Sequence, residues 1–327
     1  MQNIIFLILC LLYVFIANSQ PYFMQNYSWA NVQFANRVLQ KDSIYILGGT
    51  YRNSSTEFIH SYFATVSIEG NNWNRTDLIG TYLESALEDF IECSDNGYLM
   101  LNSEENINSG FVFGSFTFLN ENLQVTNNIS NEDWQVQENQ TYCAAFTSDS
   151  LLIIGGWIQK PNIDGWNLYL TKLSPETGEL LLDTIYTYFN TPFKLNWIQD
   201  IAATPDGGAY LLATINYSGD TGDIALIKID SLGNWQWNLV YNPTTTSWLS
   251  RDLAGNIIIT SDGGVLFSYV ADKPNIATRI SYTHKLNAQF QTEWIKDEYF
   301  SGGIGPSLIQ LSDSNFFLAN GFYLNNG

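Results

Sequence analysis

The chain has 327 residues, 45% of them apolar and 15% aromatic, enough to fill one large all-β core or two ordinary ones, so disorder is not the default. With 13 basic residues against 32 acidic, the formal charge is −19, which repels a phosphate backbone and sets nucleic acid aside as a partner. Three cysteines are too few for a disulfide framework.

The N-terminus reads as a secretory signal. An apolar run from Ile4 to Ile16 is followed by Ala17-Asn18-Ser19, a small-x-small cleavage pattern, which makes residues 1–19 the signal and Gln20 the first mature residue. The segment has no lysine or arginine ahead of the apolar run, unlike an ordinary signal, and the run is shorter than the about 20 residues an uncleaved anchor needs. The expected location is extracellular or at the cell surface, with no membrane span after cleavage. Cys10 leaves with the signal, and Cys93 and Cys143 remain.

From there to the end, one motif recurs. Turns centred on Asp42, Asp95, Asp149, Asp206, Asp262 and Asp313 lie 53, 54, 57, 56 and 51 residues apart. Each opens a β-branched or aromatic run, among them Ile44-Tyr-Ile-Leu47, Tyr98-Leu-Met-Leu101, Leu151-Leu-Ile-Ile154 and Val265-Leu-Phe-Ser268. Asp-Gly-Gly, Asp-Asn-Gly and Asp-Ser are hairpin chemistry, with the aspartate bonding to the backbone two residues on. A second turn follows in the first five repeats, as in Lys172-Leu-Ser-Pro-Glu-Thr-Gly178, Lys228-Ile-Asp-Ser-Leu-Gly233 and Lys285-Leu-Asn-Ala-Gln-Phe290. A tryptophan-bearing strand closes several repeats, as in Asn234-Trp-Gln-Trp237 and Thr292-Glu-Trp-Ile295.

Four short strands per repeat predict an all-β fold, a β-propeller of about six to seven four-stranded blades over residues 20–327. A β-solenoid or paired sandwiches are the alternatives, but a sandwich gives no reason for one turn to recur at nearly fixed spacing. The chain stops at Asn325-Asn-Gly327 after the second strand of the sixth repeat, so the last blade is expected to be incomplete. Closure by an outer strand from Gln25 to Val32 is the other reading.

Comparison of the repeats singles out the position six before each turn aspartate. It is Asn36, Asp89, Cys143, Asp200, Asn256 and Ser307, small and polar each time. In a propeller this strand is the innermost, so Asn36, Asp89, Asp200, Asn256 and Ser307 form a candidate ligand site on a channel rim. The competing reading is structural: such side chains cap strands and satisfy backbone donors in turns. On adjacent strands Cys93 and Cys143 are offset by four residues, about 13 Å, too far for a disulfide.

Other features carry less. Asp220-Thr-Gly-Asp223 lacks the further acids of a calcium loop. His60 and His284 have no partner motif, and no His-x-x-x-His, Cys-x-x-Cys or Gly-x-Ser-x-Gly occurs. The sequence therefore nominates no catalytic set, no metal site and no cofactor. Tryptophans 157, 166, 197, 235, 237, 248 and 294 could stack on sugar rings or pack between sheets.

The repeats resemble the Asp-Gly-Gly propellers of secreted Bacteroidetes-type proteins. Asp200-Ile-Ala-Ala-Thr-Pro-Asp-Gly-Gly208 and Lys228-Ile-Asp-Ser-Leu-Gly-Asn-Trp-Gln-Trp237 follow that pattern most fully, and Thr260-Ser-Asp-Gly-Gly264 repeats part of it. The resemblance implies a secreted or surface protein, often a cargo of type IX secretion, whose sorting domain is not found in these residues. A non-catalytic module binding a glycan or an extracellular protein is the expectation. A propeller enzyme is the alternative, since Pro175-Glu-Thr-Gly178 is similar to a quinoprotein dehydrogenase turn and Asp230-Ser-Leu-Gly-Asn-Trp235 to a glycosidase Asp-box. Leu182 replaces the tryptophan of the first, the second is one residue off spacing, and neither brings a catalytic set.

Overall fold

Runs of apolar residues punctuated by Asp, Asn and Gly turns fold here into strands throughout. The structure, a computed structural model, describes residues 32–52, 59–67, 73–78, 84–93, 97–105, 112–130, 138–159, 165–187, 195–217, 221–241, 250–272, 279–298, 307–310 and 316–319. The signal segment, Asp95, Asp220, Trp248, Asp313 and the chain end lie outside these residues. No helix occurs among the described residues, and so none is long and apolar enough to cross a membrane.

The chain divides into two compact units, residues 1–79 and 80–327. The first holds one sheet of β1 (Val32–Lys41), β2 (Ile44–Arg52), β3 (Ile59–Ser67) and β4 (Trp73–Leu78), paired antiparallel in chain order.

The second holds the remaining sheets. Its first blade is β5 (Glu84–Glu92), β6 (Tyr98–Glu105), β7 (Val112–Leu119) and β8 (Val125–Ser130). The next is β9 (Glu138–Phe146), β10 (Leu152–Gln159), β11 (Asn167–Leu173) and β12 (Leu180–Tyr186). Then come β13 (Leu195–Ala203), β14 (Ala209–Tyr217), β15 (Thr221–Ile229) and β16 (Trp235–Tyr241), with the short β17 (Ser250–Arg251) parallel to β15. A further blade is β18 (Leu253–Ile259), β19 (Val265–Asp272), β20 (Arg279–Leu286) and β21 (Thr292–Glu298), followed by the pair β22 (Ser307–Gln310) and β23 (Phe316–Ala319).

Each first strand packs against the preceding sheet: β9 on β5, β6 and β7; β13 on β9, β10 and β11; β18 on β13, β14 and β15; β22 on β18 and β19. Repeated four-stranded antiparallel sheets stacked in succession make this an all-β β-propeller fold.

The core lies between blades. Along β14 and β15, alternate side chains face opposite ways. Leu211, Ala213, Ala225 and Ile227 join Ile153, Leu168 and Leu170 of the preceding blade. Leu212, Ile224 and Leu226 join Ile257, Phe267 and Tyr269 of the next. Middle strands are therefore covered on both faces, and β11 is buried at every position, whereas β8 is exposed over its first four residues. Each fully buried aliphatic side chain contributes about 1.5–3 kcal/mol.

The turn after the first strand is held by a latch that recurs in three blades. Lys228 of β15 reaches back to Thr204 Oγ1 (2.9 Å), Asp206 Oδ2 (3.0 Å) and the Ile229 carbonyl (2.9 Å), and the Thr204 hydroxyl donates to Asp206. Lys285 contacts Asp262 (2.9 Å), Glu293 (3.1 Å) and the Leu286 carbonyl (2.9 Å), while Thr260 donates to Asp262. Lys172 contacts Asp149 (3.3 Å) and the Ser231 carbonyl of the next blade (3.4 Å). These lysines are 5%, 8% and 2% exposed at 172, 228 and 285. The aspartates bind the backbone two residues on, through Gly208 N and Gly264 N, both at 3.0 Å. The glycine pair follows from this geometry: Gly207 has φ +80°, and a Cβ on Gly208 would stand 2.7 Å from Lys228 Nζ and 2.2 Å from the Ile229 carbonyl oxygen.

Candidate functional site

Three first strands of the second unit carry one residue more than their partners, at the same place in each. Glu88 is the extra residue between the pairs Leu87–Asn102 and Asp89–Leu101. Tyr142 lies between Thr141–Gly156 and Cys143–Gly155, and Gln199 between Ile198–Ala213 and Asp200–Leu212. In β18, Gly255 and Asn256 together face Ser268. An extra residue bends the strand and re-aims its side chain, and bulges recur next to sites.

The residue after each bulge is the position singled out from the repeats. Asp89 accepts hydrogen bonds from Phe90 N (2.8 Å) and, across the blade boundary, from Ala144 N (3.4 Å). Asp200 does the same with Ile201 N (2.9 Å) and Ile257 N (2.8 Å), and also accepts from Asn256 Nδ2 (3.2 Å). Both are buried, with carboxylates stitching one first strand to the next. Cys143 is buried between them as a free thiol 3.6 Å from the Gly155 carbonyl, and Cys93 is likewise a free thiol. Asn256 also donates its backbone N–H to Ser268 Oγ (2.9 Å), and Ser307 pairs with Ala319.

Asn36 does not belong to this series. The first turn has two residues between the paired Lys41 and Ile44, where the later one has three between Thr204 and Gly208. Counting back from Asp42 therefore lands one residue early. Arg37, opposite Gly48, occupies the register of Asp89 and Asp200, and Asn36 is the extra residue of a bulge.

Around Glu88 the side chains close into a network. Ser103 Oγ and Gln140 Nε2 donate to Glu88 Oε1 at 2.8 and 2.7 Å. Gln140 Oε1 accepts from Tyr142 Oη (3.0 Å) and from Trp157 Nε1 (3.3 Å), and Trp157 Nε1 is also 3.2 Å from Tyr142 Oη. The amide of Gln140 is thereby fixed in one orientation, donating to β5 and accepting from its own sheet. Burial pushes the Glu88 carboxyl up against the lowering effect of Ser103 and Gln140, and the neighbouring Asp89 adds to the rise. Burial, then the Glu88 charge, likewise raises the Tyr142 phenol.

An aromatic row continues from this network. Trp166 stacks on Trp157 at 4.0 Å and 8°, Trp197 meets Trp166 edge-on at 6.2 Å, and Tyr217 meets Trp197 at 5.4 Å. Trp197 Nε1 donates to Gln199 Oε1 (3.1 Å). Asn196 holds the Trp166 carbonyl with its side-chain amide at 2.9 Å. Trp157 is buried, whereas Trp166, Trp197, Glu88, Gln140, Tyr142 and Gln199 are half-buried. The space for the bulge at Tyr142 comes from Gly156, where a Cβ would stand 1.9 Å from the Gln140 carbonyl oxygen.

Three other tryptophans pack between strands and blades: Trp235 against Tyr186, Trp237 against Tyr210 and Phe290, Trp294 beside Phe316. No cluster of His, Cys, Asp and Glu able to hold a metal occurs among the described residues. Glu88, Tyr142 and Gln199 sit one residue before the position the repeats singled out. The repeats hide them, because that place holds a different residue type in every blade.

No protein-family model matches the sequence, and no curated protein matches it. Solved structures are similar in fold. A protein of unknown function from Dyadobacter fermentans DSM 18053 aligns with a TM-score of 0.53 and 11% identity over 79% of each chain. A polysaccharide lyase of family PL25, an ulvan lyase, aligns with a TM-score of 0.53 and 9% identity over 79% of this chain and 69% of its own. The NanB sialidase of Streptococcus pneumoniae aligns with a TM-score of 0.51 and 11% identity over 91% of this chain and 67% of its own.

Proposed function

We propose that this chain is an exported, non-catalytic β-propeller that binds carbohydrate at the bulge end of its blades. The observation that carries the reading is the Glu88–Gln140–Tyr142–Trp157 network running into the half-buried Trp166 and Trp197. A sugar offers hydroxyls to planar, oriented polar groups and an apolar C–H face to an indole, and this row supplies both within one strip. Two solved proteins of similar fold are named for enzymes of carbohydrate, a lyase and a sialidase, which agrees with the class of ligand.

Binding is favoured over hydrolysis by the state of the acids. A glycosidase needs two carboxyl groups facing one bond at a set separation. Asp89 and Asp200 spend their oxygens on backbone amides of their own and the next blade, leaving Glu88 as the acid open to a ligand. An enzymatic reading keeps one supporting feature: a carboxyl pushed up by burial is suited to donate a proton.

The test is glycan-array binding of the secreted protein, with Trp166→Ala and Gln140→Ala as variants. Binding that falls at least tenfold in both variants, with melting lowered by no more than a few degrees, supports the reading. Unchanged binding overturns it, and time-dependent cleavage of a bound glycan replaces it with the enzyme. N-terminal sequencing of exported material, expected to begin at Gln20, tests the export half.

A further inference from the structure

Glu88 is half-satisfied in a way that selects a ligand. Its Oε1 takes both hydrogen bonds, from Ser103 and Gln140, while Oε2 has no hydrogen-bond partner among the described residues. No lysine or arginine among them pairs with it, and Lys172, Lys228 and Lys285 are committed to the turn latches. Gln140 cannot turn to compensate, because Tyr142 and Trp157 hold its oxygen. A half-buried carboxylate without a counter-charge is costly, and a cation supplied from outside offsets that cost.

We infer that the site takes a glycan bearing a free amino group, its ammonium on Glu88 Oε2 and its sugar face along the Trp166–Trp197 row. An ammonium there forms a charge-assisted hydrogen bond. The burial that pushes the Glu88 carboxyl up is relieved by the same charge. A sugar acid meets the opposite balance: Glu88 repels it at the site, and the net charge of −19 repels it at a distance. An N-acetylated sugar keeps its ring face and loses the ion pair.

This inference rests on the glycan reading above, and the experiment separates the two. The full chain is titrated calorimetrically with a β-1,4-linked glucosamine pentamer, its fully N-acetylated counterpart and a neutral glucose pentamer. The free-amine oligomer is expected to bind at least tenfold tighter than the acetylated one, about 1.4 kcal/mol. Glu88→Gln is expected to abolish that preference. Equal or tighter binding of the acetylated oligomer, or a preference that survives in Glu88→Gln, overturns the amine inference while the glycan reading stands. If none of the three binds, the amine inference falls, and the glycan reading falls with it only where the array also shows no binding.

Discussion

The two ends of the first strands in the second unit contrast. At the turn end, Thr147, Thr204 and Thr260 meet Asp149, Asp206 and Asp262 and the buried Lys172, Lys228 and Lys285, one arrangement three times over. At the bulge end, about 16 Å away along the strand, the corresponding places hold Glu88, Tyr142, Gln199 and Gly255, no two alike. Chemistry that repeats serves the fold, within a blade and between blades, and chemistry that does not repeat is free to recognise something. The blade of β5–β8 makes the trade visible within one repeat. There Cys93 stands where the others have threonine and Phe118 where they have lysine, and both join an apolar cluster with Ala144 and Ile154, while Glu88 supplies the acid at the other end.

The comparison can be broken most forcefully at Gly156, where Gly156→Val drives a side chain into the Gln140 carbonyl. We expect a loss of about 3 kcal/mol or more in chemical denaturation, with glycan binding lost as well. A loss below 1 kcal/mol would show that the bulge does not need the glycine.

Next in size is Lys228→Ala, which leaves the Ile229 carbonyl and Asp206 without their shared donor. Because Asp206 is more than half exposed, the expected cost is only about 1–2 kcal/mol, with glycan affinity unchanged. A large effect on affinity would erase the division between the two ends.

Acid separates the latch from a second buried group. Hydrogen bonds from Thr204 and then Lys228 hold Asp206 at about 2, and Thr260 and then Lys285 do the same for Asp262. Both lie below the about 4 of an unfolded aspartate, so their contribution is complete above pH 4 and drains away as pH falls toward 2. His284, buried between Tyr241 and Phe267, is held at about 4 by burial, below the about 6.5 of an unfolded histidine. Its contribution is full above pH 6.5 and is lost between 6.5 and 4. Melting temperature against pH is expected to fall in two stages, and His284→Phe to remove the upper one; a single stage in the native protein contradicts this assignment.

The smallest effect on stability is expected for Trp166→Ala. The side chain is half-buried within the aromatic row, and its loss should cost binding at least tenfold and melting only a few degrees. A drop comparable to Gly156→Val would make the row a packing feature.

Much of the turn end was legible in the sequence, because the turn aspartates recur at nearly constant spacing and a lysine follows at 172, 228 and 285. The strand order and the four strands per blade followed from it. What the recurrence could not reveal was that Lys172, Lys228 and Lys285 fold back onto the turn aspartates, a contact across two strands. The bulge end was legible only obliquely. Trp157, Trp166 and Trp197 stood out as aromatic, but nothing local distinguishes them from Trp235 and Trp237, which pack between blades. Aligning repeats by identity led to Asp89 and Asp200, whose repetition reflects stitching, and passed over Glu88 and Gln199 beside them. A single residue of turn length also moved the count at Asn36.

The carboxylates of Asp89 and Asp200 limit how this protein can be cut into pieces. Each satisfies a peptide N–H, of Ala144 and of Ile257, that belongs to the neighbouring sheet. A blade excised alone would lose that bond and open to water the apolar faces that pack between blades. A cut between the β5–β8 and β9–β12 blades, or between the β13–β16 and β18–β21 blades, therefore breaks such a pair. Any gain or loss of a repeat must likewise bring a matching acid and amide to the new junction.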